Sequence, residues 1–189
     1  MKALITGGGS KFGLKLSKLL VQDYKVDLIT GQDQTSLPDN LFSNITYVDW
    51  NNTDLLKNEL NISTDYDLVI FNHNPQGEYG ELVNLVNTTF TASVLDRINP
   101  KPDLKVMWMI SGLVNGEMPQ YNSYASRKAT WIYMMRQYAS KQEGIYFGLE
   151  PGHIIGGEEV DVFDQIKKAN KQYNKKVITK NGQERIFTL

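Results

Sequence analysis

The chain has 189 residues, no cysteine, two histidines and a formal net charge of −1 at pH 7. A chain of this length suits one domain that buries roughly 70% of its unfolded surface. Without cysteine there are no disulfides, thiolate nucleophiles or cysteine-ligated metals, and a near-neutral charge gives no footing for nucleic acid or an anionic membrane.

No run approaches the roughly eighteen apolar residues of a membrane span. Met1 and Lys2 lead into three apolar residues before the glycines begin, so no signal peptide is expected. Two histidines, His73 and His153, are too few for a convincing metal site. These features together suit a cytoplasmic protein.

Lys2 to Thr6 reads as a short apolar strand. It runs into Gly7-Gly8-Gly9-Ser10-Lys11-Phe12-Gly13 and then a helical pattern, Leu14, Leu16, Leu19, Leu20. A glycine turn between a strand and a helix is the context for dinucleotide binding, because backbone approaches the pyrophosphate and the helix N-terminus faces it. A plain flexible turn is the competing reading. Val26 to Thr30 is the second strand, ending Thr30-Gly31-Gln32, with Asp33 one step later. Gln34 to Ser43, with Pro38, predicts an irregular crossover.

Ile45 to Asp49 alternates as a third strand, and Asn52 or Thr53 can cap the helix after it. Asp67 to Phe71 is an apolar fourth strand that ends in Asn72-His73-Asn74-Pro75, with His73 read as a polar loop residue. A helix is expected from about Tyr79 to Ile98, with Leu82, Leu85, Val86, Phe90, Val94 and Leu95 as its apolar positions. Val106 to Ile110 reads as a buried strand ended by Ser111. The helix from Tyr121 to Lys141 carries more apolar surface than one core-facing stripe requires.

Ile145 to Leu149 is a sixth strand, followed by Pro151-Gly152. The tail holds a short helix candidate with Val162, Phe163 and Ile166. A lysine-rich segment from Lys167 to Lys180 follows, read as a solvated face, with a phosphate-bearing substrate as the alternative. Asn181-Gly182 is a hairpin turn signal and Ile186-Phe187 a last edge strand. Strands alternating with helices predict a single α/β domain over residues 1–189, doubly wound with a mostly parallel, Rossmann-like sheet. Residues 1–110 are expected to carry the glycine turn, 111–157 the stretch with Ser111, Tyr124 and Lys128, and 158–189 a short C-terminal segment.

The most informative stretch is SGLVNGEMPQYNSYASRK, from Ser111 to Lys128. Tyr124 and Lys128 stand four residues apart, so in a helix their side chains share a face one turn apart. A cation beside a phenol favours the phenolate. A phenol so placed can exchange a proton with a carbonyl or alcohol oxygen, and a serine hydroxyl at a strand's carboxyl end reaches the same oxygen. Among the tyrosines, Tyr124 alone has a lysine four residues on.

In the order and spacing of Ser111, Tyr124 and Lys128 the chain resembles the short-chain dehydrogenase/reductase family, and the likeness runs from Met1 to about Gly157. Thr6, Gly7 and Gly13 match the family's TGxxxGxG, with Lys11 at the middle glycine. The resemblance implies a cofactor-binding set of Gly7, Gly9, Ser10, Lys11, Phe12 and Gly13 at this turn. It adds Asp49 at the adenine amino group, Asn72 on the second asparagine of the family's DxLVNNAG, and Tyr124 and Lys128 at the nicotinamide ribose. Pro151, Gly152 and the backbone of Ile154 line the nicotinamide pocket. Val86-Asn87-Thr88-Thr89-Phe90 resembles the segment bearing the family's fourth catalytic residue, which gives Asn87 that role, with Asn84 its rival.

What the resemblance implies is an NAD(P)-dependent oxidoreductase interconverting a carbonyl and an alcohol. Ser111, Tyr124, Lys128 and Asn87 are its catalytic residues. NADP is favoured over NAD, because Lys11 is present and no carboxylate stands directly at the end of the second strand. A small-molecule substrate and a homodimer or homotetramer are implied. A cofactor-binding regulatory or scaffold protein without turnover is the rival. An extended-branch epimerase or dehydratase needs a larger C-terminal domain than this chain supplies.

Overall fold

The computed structural model describes residues 1–31, 37–38, 40–48, 60–73, 86–111, 122–149, 177–180 and 183–186. Its elements are β1 (Lys2–Thr6), α1 (Lys11–Leu20), β2 (Lys25–Thr30), β3 (Asn44–Tyr47) and β4 (Leu68–Phe71). A π-helical turn (Val86–Phe90) follows and runs into α2 (Thr91–Leu95). Then come β5 (Lys105–Met109), α3 (Asn122–Lys141), β6 (Ile145–Leu149), β7 (Val177–Lys180) and β8 (Gln183–Ile186). Six strands form one sheet in the order β3-β2-β1-β4-β5-β6. The pairs β1–β2, β1–β4, β2–β3 and β5–β6 are parallel. This is the strand order of the doubly wound dinucleotide-binding fold. The chain divides into two compact units, Met1–Pro100 and Lys101–Leu189.

In the first unit β1 and β4 are buried along nearly their whole length, as expected of parallel strands covered on both faces. Helix α1 begins where Ser10 adopts an extended backbone and its hydroxyl accepts the Gly13 N–H at 3.0 Å. That satisfies one of the donors a helix start leaves open. Gly13, Leu16, Ser17 and Leu20 form the buried face, at helical spacing. Strand β2 carries one buried carboxylate, Asp27. It is matched by Lys2 Nζ at 3.0 Å and by the Tyr66 hydroxyl, which donates to it at 2.8 Å. Pairing of this kind offsets the desolvation of a buried charge.

The expected single helix from Tyr79 to Ile98 is described from Val86 on, and there it opens as a π-helical turn before continuing as α2. Its residues hold an ordinary helix only weakly. Asn87, Thr88 and Thr89 are modest helix formers, and the Thr91 hydroxyl donates back to the Asn87 carbonyl at 2.7 Å. Such bonding competes with the regular helical ladder.

In the second unit Val106, Met107 and Trp108 of β5 and Leu149 of β6 are fully buried. On α3, Arg127, Lys128, Trp131 and Met135 turn inward, while Tyr133 is 64% exposed. The apolar surplus of this helix is thus partly spent on solvent. Gly144 takes φ +130° just before β6, a backbone that L side chains rarely adopt. The tail hairpin expected around Asn181-Gly182 forms, with β7 and β8 antiparallel and Lys180 opposite Gln183. It begins earlier than the sequence suggests, because Val177–Lys180, within the lysine segment read as a solvated face, is a strand. The tail helix candidate at Val162, Phe163 and Ile166 lies outside the described residues. Among the described residues no helix is long and apolar enough to cross a membrane, and no group of three histidines or carboxylates gathers to hold a metal.

Candidate active site

The first unit carries a glycine turn. Gly7 takes φ +66°, and a Cβ there would lie 2.5 Å from the Cα of His73. At Gly13 a Cβ would meet the Gly8 Cα at 2.5 Å and the Gly7 carbonyl at 2.6 Å. Both contacts are with backbone, so neither position accepts a side chain unless the turn moves. The turn is held from β4: Asn72 Nδ2 donates to the Gly7 carbonyl at 3.2 Å, and the Thr6 hydroxyl accepts the Asn72 N–H at 3.2 Å. Gly9 is buried, Phe12 half-buried, and Ser10 and Lys11 are exposed.

This turn fits the diphosphate of a dinucleotide. The backbone is stripped of Cβ atoms where it folds on itself, and the helix start that follows bears no acidic residue in its first turn. Lys11, at the family's middle glycine, opens α1 with an exposed side chain, so it adds a cation without filling the turn. A helix N-terminus beside a cation favours an anion.

His73 departs from its expected role as a polar loop residue. It is buried, its Nδ1 lies 2.7 Å from the Thr6 hydroxyl, and its ring meets Phe90 edge to face at 4.9 Å. It therefore joins β1 to the π-helical turn that carries the buried Asn87. A π-turn in an otherwise α-helical stretch is a frequent mark of a functional position.

The second unit gathers Ser111, Tyr124 and Lys128 at the carboxyl end of β5. Ser111 follows that strand and hydrogen-bonds the Tyr124 phenol. Lys128 Nζ donates to the carbonyl of Met109, the last residue of β5, at 2.7 Å. It lies 5.6 Å from the centroid of the Tyr124 ring and 3.9 Å from that of Trp131. Burial, and then the charge of Arg127, bring Lys128 down to about 7.

The expectation that Lys128 draws the phenol toward neutrality is not met here. Burial raises the Tyr124 phenol above its ordinary value, opposed by the Ser111 hydrogen bond and by the charge of Arg127. Burial lowers the Lys128 amine to about 7, so it is neutral where the phenol titrates, whereas Arg127, with Cζ 5.9 Å from the Tyr124 ring, keeps the opposing charge.

Arg127 is passed over by sequence reading, and His73 reads there as a polar loop residue. The YxxxK pattern treats its inner positions as free, yet Arg127 stands three residues after Tyr124, a spacing that shares a helix face. For His73 there was no local signal, since its burial depends on Thr6 and Phe90, distant in sequence. Asp49, Pro151, Gly152 and Ile154 lie outside the described residues.

A strand, a glycine turn, a helix and this sheet order define a doubly wound α/β protein of the dinucleotide-binding type. No protein-family model and no curated protein sequence matches the chain. Among solved structures it is similar to the serine dehydrogenase from Escherichia coli, with a TM-score of 0.74, 16% identity and 98% of each chain covered. It is also similar to a short-chain dehydrogenase/reductase from Vibrio parahaemolyticus, with a TM-score of 0.66, 15% identity, and 87% of this chain and 91% of that one covered. A UDP-N-acetylglucosamine 4-epimerase from Methanobrevibacter ruminantium matches with a TM-score of 0.58 and 21% identity, covering 79% of this chain but 54% of its own. The fold is that of the short-chain dehydrogenases/reductases.

Proposed function

We propose that the chain is an oxidoreductase of the short-chain dehydrogenase/reductase type that interconverts a small carbonyl compound and its alcohol with a nicotinamide dinucleotide. The observation that carries this reading is the gathering of Ser111, Tyr124 and Lys128 at the end of β5. The turn from Gly7 to Gly13 and Asn72 would hold the dinucleotide, together with Asp49, Pro151, Gly152 and Ile154 by resemblance. When bound, that group supplies or accepts a hydride. Lys11 and the lack of a carboxylate directly after β2 favour the form with the extra phosphate, NADP. A homodimer or homotetramer in the cytoplasm belongs to the same proposal, resting on the resemblance.

The protein's own chemistry is proton handling. In reduction Tyr124 gives its proton to the carbonyl oxygen; burial keeps the phenol protonated at rest but opposes the phenolate left behind, which the Ser111 hydrogen bond and the Arg127 charge favour. Ser111 donates to the same oxygen and stabilises the developing alkoxide. Lys128 steadies the face of α3 through Met109 and would hold the ribose, while Asn87 would anchor a water that restores the proton.

One observation favours a binding protein without turnover: the same burial resists formation of the phenolate through which both directions of the reaction pass. Titration of NADPH and NADH by fluorescence, followed by a carbonyl screen, separates the readings. The expected result is binding of both, NADPH tighter, with turnover on a carbonyl. Binding without turnover on a broad screen leaves the regulatory reading, and no binding of either at millimolar concentration sinks both.

A further inference from the structure

Tyr124, Arg127 and Lys128 lie on one face of α3, and both cations are at least nine-tenths buried. Arg127 Cζ lies 5.9 Å from the centroid of the Tyr124 ring and Lys128 Nζ 5.6 Å. The distances are alike, but the groups differ in kind. Lys128 is bonded to a backbone carbonyl and laid on the Trp131 ring, and an amine loses its charge readily when buried. A guanidinium keeps its charge at any working pH. Desolvating it costs on the order of several kcal/mol, and a methionine or glutamine would fill the same volume without that penalty.

We propose that Arg127 is a positioning residue for proton transfer, its fixed charge holding the Tyr124 phenol ready to become a phenolate. The proposal rests on Tyr124 being the group that carries the proton. In reduction the Tyr124 O–H bond breaks, the proton passes to the carbonyl oxygen and the electron pair stays on the phenolate. The carbon receives its hydride from a reduced nicotinamide dinucleotide. The step creates one negative charge on the protein, beside a guanidinium that cannot give up its own proton.

The other groups that face Tyr124 do not substitute for it. Among the described residues of this unit, Ser111 offers a neutral hydroxyl. The charged residue of β5 is Lys105, at the strand's amino end, away from Met109. The titratable residue of β6 is Tyr146, whose hydroxyl is tied to Gln142 and to the Glu143 carbonyl at the amino end of that strand. Lys128 remains, and burial, followed by the Arg127 charge, pushes its amine toward the neutral form.

The test follows the Tyr124 phenol by NMR in protein labelled with carbon-13 at tyrosine Cζ, assigned with Tyr124→Phe. It compares the unaltered protein with Arg127→Lys, Arg127→Gln and Arg127→Met. The methionine variant is included because replacing a buried charge by an apolar side chain of similar volume often preserves the fold. The phenol midpoint is expected to rise by about one pH unit or more in the glutamine and methionine variants, and in the lysine variant as well, because a buried amine is neutral at the alkaline pH where the phenol titrates. If alkali unfolds the protein before the phenol titrates, the Lys128 amine carries the same test, and its midpoint should rise when Arg127 is neutralised. The pH profile of kcat/KM should shift in step with the phenol, with KM little changed. An unmoved phenol in a folded glutamine or methionine variant overturns the proposal, as does an unmoved amine where alkali unfolds the protein before the phenol titrates. The NMR readout needs neither cofactor nor substrate. A phenol that responds in a protein without turnover therefore supports the role of Arg127 and counts against the reductase reading alone.

Discussion

The side-chain nitrogen of Lys128 donates to the carbonyl oxygen of Met109 at 2.7 Å while resting 3.9 Å from the centre of the Trp131 ring. One bond thus ties the helix bearing the tyrosine to the last residue of β5. The indole face favours the charged amine; burial and the neighbouring Arg127 oppose it and bring its midpoint down to about 7.

That balance has a consequence for stability. Unfolded, the lysine titrates near its ordinary 10.5, so between about pH 7 and 10.5 the unfolded chain binds a proton that the native protein does not. Stability therefore rises with pH through this window, and the full penalty of the buried charge is felt below it. Denaturant unfolding at pH 7 and 9 should show Lys128→Met losing roughly 2 kcal/mol of this rise relative to the unaltered protein. Parallel pH dependence in the two proteins would show that the amine is not perturbed.

Tyr66 has the opposite sign. It is buried, its hydroxyl donates to Asp27 at 2.8 Å and accepts the Ser63 N–H at 3.2 Å. Burial, then the hydrogen bond and charge of Asp27, raise its phenol well above 10.0. The stability it contributes is complete below pH 10 and is lost as the unfolded chain ionises above that value. Tyr66→Phe should cost about 1–3 kcal/mol near neutrality and flatten the alkaline loss. Thermal unfolding from pH 7 to 11 checks both.

The glycine turn makes a steric prediction. A methyl at Gly13 would sit 2.5 Å from the Gly8 Cα and 2.6 Å from the Gly7 carbonyl, so the helix must back away from the turn. Gly13→Ala should cost roughly 1–3 kcal/mol, the scale of overpacking, and weaken dinucleotide binding more than it lowers stability. Calorimetric titration of the folded variant decides this, and unchanged affinity would place the dinucleotide elsewhere.

Much of the fold was legible because its signals are local. Ala3, Leu4 and Ile5 form an apolar run ended by glycines, and Ser10 is a cap residue placed before Leu14 and Leu16. The approximate places of all six parallel strands follow from such patterns. The π-helical turn at Asn87 was not legible, since its apolar positions alone suit an ordinary helix. The spacing of Tyr124 and Lys128 correctly placed them on one face, but could not say which cation would act on the phenol. That depended on how deeply the lysine amine is buried, a matter of tertiary packing. Asp27 was hidden for the same reason, because its partners Lys2 and Tyr66 come from other parts of the chain.

The assignment of the proton to Tyr124 is tested by a pattern of variants. Tyr124→Phe removes one oxygen and keeps the ring that lies near both cations, so cofactor affinity should hold while kcat falls by a factor on the order of 10² or more. Ser111→Ala removes the hydroxyl that hydrogen-bonds the phenol; turnover should fall and the phenol should titrate higher, with cofactor affinity little changed. Lys128→Met should impair both turnover and cofactor binding, because that side chain fixes the end of β5 through Met109 and would also hold the ribose. Steady-state kinetics on a substrate found by carbonyl screening, paired with cofactor titration of each variant, reads all three. Full turnover in Tyr124→Phe would remove the tyrosine from the mechanism, since a phenylalanine has no proton to give.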